Sequence, residues 1–224
     1  MSKHLEHELD ELEKQLLTLS ACVEESIHKS IKAFETRNTD LADEVIAEDQ
    51  KIDEIEVDLE EECLKILALY QPVAVDLRFI VAALKINNDL ERVGDYASNI
   101  AKRTKKVAAL APVSLPFDFH DMAEKALAML RQSLDSFVRM DTRMAHEIRS
   151  MDKVVDECNR EVERLANKGI KEDPGNEEAY LQIIWVSRSL ERVGDHATNI
   201  AEDIIYMLEG EIVRHSIKKS HAGG

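Results

Sequence analysis

The side chains able to do chemistry in this chain are carboxylates, and they come in repeated stripes. Glu91, Asp95 and Asn99 are spaced four residues apart, and Glu191, Asp195 and Asn199 repeat that spacing. On a helix turning about 100° per residue each trio shares one narrow stripe. Ile86, Leu90, Val93, Ala97 and Ile100 take a different face, which puts the acidic stripe at or near the surface of its own bundle. Like charges four residues apart destabilise a helix by roughly 0.2–0.5 kcal/mol, so such a pair benefits from a cation. Asp49, Asp53, Glu56 and Glu60 form a second stripe beside Ile52, Ile55 and Leu59, and Asp152, Asp156, Asn159 and Glu163 hold the same places beside Val155 and Val162. Two facing stripes predict one metal site per half: Asp49, Asp53, Glu91 and Asp95 in the first, Asp152, Asp156, Glu191 and Asp195 in the second. Oxygen donors suit hard ions such as Mg, Ca, Mn or Fe.

Other readings compete with this one. Acidic pairs at this spacing are common on solvated helix faces, and Arg92 or Arg192 could neutralise them by ordinary surface pairing. Repetition of both stripes in both halves favours metal. His196 could reach the second site, but Tyr96 stands at its place in the first. Gly94 and Gly194 each cost a helix about 1 kcal/mol relative to Ala, which points to close helix packing or to space over the metal. Glu25-x-x-His28 is half of a di-iron helix motif, and no other His has a Glu three positions before it. With no Gly-rich phosphate loop and no nucleophile elbow in the sequence, an enzyme is not expected.

The elements that must position these stripes follow from an internal repeat. Leu90-Glu-Arg-Val-Gly-Asp95-Tyr-Ala-Ser-Asn99-Ile-Ala101 recurs as Leu190-Glu-Arg-Val-Gly-Asp195-His-Ala-Thr-Asn199-Ile-Ala201. The upstream stripes match at an offset of 103 rather than 100, so the three-residue difference belongs in the loop between them. Apolar spacing of three and four predicts helical segments from about Leu5 to Phe34, Leu41 to Leu69, Val75 to Val107, Phe117 to Met140, Thr142 to Ala166 and Glu177 to Leu208. Asp173-Pro174 reads as a helix start. The expected architecture is all-α: two tandem three-helix bundles related by internal duplication. Residues 1–108 form the first bundle, 109–116 a linker interrupted by Pro112 and Pro116, 117–210 the second bundle, and 211–224 a polar C-terminal tail. Merger of all six helices into one continuous bundle stays open.

Composition narrows the function. A net charge of −16 repels a phosphate backbone, and 4% aromatic residues offer little to stack bases on, so direct nucleic-acid binding is not expected. Cys22, Cys63 and Cys158 are far apart and read as reduced, buried small hydrophobes. Neither a signal peptide nor a stretch of about 20 apolar residues is visible, so the protein reads as cytoplasmic, meeting membranes only through partners.

The doubled segment, with Gln71-Pro72-Val-Ala-Val-Asp76-Leu-Arg78 before the third helix, resembles the PhoU family of phosphate-transport regulators over nearly the whole chain. Val93 and Val193 replace a common Ile, and Ser189 a common Asn. The resemblance implies two tandem three-helix bundles, metal ions at the acidic motifs (Fe, Mn, Zn or Mg), and a homodimer. It also implies an adaptor between a phosphate ABC transporter, through its ATPase, and a sensor histidine kinase, acting as a negative regulator of the phosphate-starvation response. A metal-buffering protein, or a helical accessory of another phosphate or ion transporter, are the alternatives.

Overall fold

In the computed structural model residues 3–210 are described; the tail expected over 211–224 lies outside them. Six α-helices follow one another: α1 (Lys3–Thr36), α2 (Thr39–Tyr70), α3 (Ala74–Ala108), α4 (Phe119–Arg139), α5 (Thr142–Glu172) and α6 (Glu177–Glu209), with a short 3-10 turn at Pro174–Asn176. Leu5, Leu9, Leu12, Leu16, Leu19, Val23, Ile27 and Ile31 of α1, at spacings of three and four, are all buried, which is the pattern an amphipathic helix needs to hold its place on a core. Side-chain caps start three helices: Asn38 accepts from the amides of Asp40 and Leu41, Asp118 from Asp121, and Asp141 from Arg143. Asp173-Pro174 behaves differently. Asp173 closes α5, which runs past Ala166, by donating its amide to Gly169; its side chain caps nothing, and Pro174 opens the 3-10 turn before α6.

The change of offset between the copies now has a location. Tyr70 ends α2 and Ala74 begins α3, whereas the corresponding point in the second half passes directly from Asp173 to Pro174. Residues 71–73, with Gln71 in the left-handed region at φ 45 and ψ 54, are the part the second copy lacks.

Within each half the three helices pack on one another, and the halves join along α3 and α6, with α1 against α4. The two motif-bearing helices are therefore central. The buried apolar side chains of both halves form one cluster, so the duplicated bundles share a continuous core. All five phenylalanines gather near this seam. Phe79 of α3 stacks on Phe137 of α4 at 5.0 Å, Phe34 of α1 meets Phe119 edge-on at 5.2 Å, and Phe117 packs on Phe119 at 5.0 Å. Polar contacts reinforce it. Arg78 donates to the Met207 carbonyl at 2.8 Å, Lys85 pairs with buried Asp203 at 3.0 Å, and His196 Nδ1 lies 2.7 Å from Asp89. No described helix is long and apolar enough to cross a membrane.

Candidate metal centres

Glycine sets how closely the acidic helices approach. A Cβ on Gly94 would meet Ile52 at 3.0 and 3.2 Å, so α2 and α3 touch at the level of the first motif. At Gly194 the neighbours are Asp152 Oδ1 at 3.5 Å, Val155 at 3.6 Å and Met129 at 3.7 Å. The packing reading therefore holds for Gly94; at Gly194 an added Cβ would make ordinary van der Waals contacts, one of them with a carboxylate.

The stripes on α2 and α3 come within electrostatic range of one another, and so do those on α5 and α6. In the first half, burial pushes Asp49 above the usual carboxylate range, with Asp53 and Asp95 adding repulsion. Ser98 lies on the Asp49 side and favours its charged form, although the buried Ser98 hydroxyl makes no well-formed hydrogen bond. Glu91 is raised by burial and then by Asp95, Asp53 and Glu56. In the second half burial raises Asp152 to about 6, with Asp156 and Asp195 contributing. Glu191 and Asp195 are raised by burial as well, each facing Asp156. All eight predicted residues thus fall into two clusters. In burial the eight carboxylates match between the copies except at one pair: Asp53 is exposed while its counterpart Asp156 is half-buried.

Surface pairing with the neighbouring arginines is present as well. Arg92 reaches Asp95 at 3.2 Å and Glu91 at 3.4 Å, and Arg192 reaches Asp195 at 2.9 Å and Glu191 at 3.7 Å. These exposed guanidinium groups offset only part of the negative charge, because Glu91, Glu191 and Asp195 are still shifted upward. Buried Glu91 Oε2 accepts no well-formed hydrogen bond, its Arg92 neighbour standing 3.4 Å away, and the donors are all carboxylate oxygens, which is the chemistry a hard cation takes. Among the described residues, however, no group of three or more His, Cys, Asp or Glu side chains is arranged to hold a metal ion. The donor set fits a cation; the arginines and side-chain positions do not close a coordination shell.

Several candidates stand elsewhere. Asn159 accepts from Ser187 at 2.8 Å, and Glu163 binds Arg188 at 2.8 Å. Asn99 and Asn199 line clefts along the seam. His196 is turned to Asp89 of the other half. Glu25 pairs with Lys29 and His28 with Glu124, so the partial di-iron motif serves helix contacts. Cys63 is buried, its thiol pushed up to about 12 by burial, while Cys22 and Cys158 are half-buried; all three are free.

Six helices in two copies, joined along the helices that carry paired acidic motifs, define a duplicated helical-bundle protein. The PhoU domain model matches residues 16–104 and again 119–204. The chain belongs to the PhoU domain family. It is 41% identical over 208 residues to the phosphate-specific transport system accessory protein PhoU homolog of Aquifex aeolicus, covering 93% of this chain and 94% of that one. Its identity to PhoU of Serratia marcescens, a phosphate-specific transport system accessory protein, is 33% over 208 residues, 93% of this chain and 86% of the relative. The crystal structure of PhoU from Pseudomonas aeruginosa superposes with a TM-score of 0.85 at 35% identity, covering 92% of this chain and 99% of that one. That of the phosphate transport system regulatory protein PhoU from Streptococcus pneumoniae gives 0.84 at 29% identity, covering 93% and 99%.

Proposed function

We propose that this chain is an accessory and regulatory protein of a phosphate-specific transport system. It acts as a non-enzymatic cytoplasmic adaptor between the transporter's ATPase and a sensor histidine kinase, and holds the phosphate-starvation response off when phosphate is plentiful. The observation that carries this reading is the match of both helical copies, over nearly the full length of each chain, to relatives described as phosphate-transport accessory proteins. An adaptor needs rigid, separable faces rather than reacting groups. It changes its partners by binding one of their conformations better than another. Self-association into a homodimer belongs to the same proposal.

Asp49, Asp53, Glu91 and Asp95 would hold a cation in the first half, and Asp152, Asp156, Glu191 and Asp195 in the second. The ion would supply charge neutralisation. The chain's own contribution is to keep Asp49, Glu91, Asp152, Glu191 and Asp195 half-buried among like charges, so that these five favour a cation or, failing that, a proton.

A deletion strain tests the function. Starvation genes should be derepressed at high phosphate and silenced again by the intact chain, and the purified protein should retain the transporter ATPase and the kinase in pull-downs. Normal repression in the deletion strain, with a folded protein that retains neither partner, would overturn the proposal.

A further inference from the structure

The duplication creates two equivalent clefts along the α3–α6 seam, and they have opposite charge. At the offset of 100, Lys85, Asn88, Asp89 and Asp203 of one cleft correspond to Trp185, Arg188, Ser189 and Arg103 of the other. The first is satisfied internally: Lys85 pairs with Asp203 at 3.0 Å, Asp89 with His196 at 2.7 Å, and Glu202 with Arg149 at 3.7 Å. Its lining holds one ammonium against three carboxylates.

The second cleft has Ser189 and Arg103 in the places of the two seam aspartates, and Arg188 in the place of Asn88. Its lining holds three guanidinium groups, from Arg103, Arg188 and Arg192, against the single carboxylate of Glu191. Arg188 is partnered by Glu163 at the rim and Arg192 by Asp195. Arg103 differs from both: it donates at 3.1 Å to the neutral amide of buried Gln182, and no carboxylate pairs with it among the described residues. Its guanidinium carbon lies 5.2 Å from the ring centre of Trp185, and that of Arg188 lies 5.6 Å from the same ring. Trp185 is the chain's one tryptophan and remains 47% exposed, whereas tryptophan is ordinarily well buried. Tyr96, Asn99 and Ser189 complete a concavity of about 420 Å³, within the range of small-molecule pockets.

We propose that this cleft binds a small phosphate-bearing molecule with a planar ring, of the nucleotide class. Guanidinium forks match phosphate oxygens, and an exposed indole in a cleft that also holds Tyr96 receives a flat ring. A concave site of this volume suits a small ligand, and the Arg103 guanidinium, with no carboxylate partner among the described residues, gives an anion a landing point on a chain of net −16. The cleft shares Glu191 and Arg192 with the second acidic cluster, but the inference needs neither a cation there nor the transport partners.

Trp185 is its own reporter. Titration of metal-free protein with ADP should change tryptophan fluorescence saturably, adenosine should fail, and inorganic phosphate should bind more weakly than ADP. Arg103→Asp, which restores the residue type of the opposite cleft, should weaken ADP by at least about tenfold, as loss of a charge-assisted hydrogen bond implies, with helical circular dichroism unchanged. Calorimetry of Trp185→Phe checks binding without the fluorophore and should still detect ADP. The proposal is overturned if ADP gives no saturable signal by either method, if phosphate binds as tightly as ADP, or if folded Arg103→Asp binds ADP like the parent.

Discussion

The double variant Asp152→Asn, Asp195→Asn will be more stable than the parent at pH 7 without divalent cations. Burial raises both carboxyls in the folded state, Asp152 to about 6 from an ordinary value of 3.8. A raised carboxyl means the folded chain binds the proton more tightly than the unfolded one. Stability therefore falls as pH rises from about 4 to about 6, and the whole penalty is present above that. One pKa unit corresponds to about 1.4 kcal/mol; with Asp152 half in solvent, the gain from removing both charges is on the order of 1–2 kcal/mol. Urea denaturation at pH 5 and pH 7 measures it. The parent should lose stability between these values and the variant much less. A hard cation should reverse the order: at a hundredfold excess over its dissociation constant it stabilises the parent by about 2.7 kcal/mol and the variant little.

Phe137→Ala will cost about 3–5 kcal/mol, the range for removing a fully buried aromatic ring. Phe137 has no exposed surface and stacks on Phe79 across the seam, so the substitution removes contacts within the second half and between the halves together. Because the core is one cluster, the variant should still unfold in a single transition with a lower denaturant midpoint. Two separated transitions would show that the halves fold independently.

How far the sequence carried the structure depends on whether contacts lie within one copy or between copies. The doubled Leu-Glu-Arg-Val-Gly-Asp segment and the three- and four-residue apolar spacing were enough for six helices and for bringing Asp49 toward Asp95 and Asp152 toward Asp195, since these pairs lie on adjacent helices of one bundle. The three-residue offset even marked residues 71–73. The seam was not legible. Periodicity says which face of a helix is apolar, not which helix covers it, so the cross-half contacts of Phe79 with Phe137 and Asp89 with His196 went unseen. Asp203 is 2% exposed, which its residue type argues against. Arg103 was missed for the same reason, although a signal existed: aligning the copies places Arg103 opposite Asp203 and Ser189 opposite Asp89. Arg92 and Arg192 show the limit of spacing alone, because the same stripe that attracts a metal also attracts the arginine beside it.

The claim that the two acidic clusters are cation sites is tested most directly by elemental analysis of protein purified without chelator, beside a variant with Glu91, Asp95, Glu191 and Asp195 changed to Ala. The account predicts stoichiometric Fe, Mn, Zn or Mg in the parent and none in the folded variant. Parent and variant equally empty would contradict it and leave the clusters as strained acidic surface.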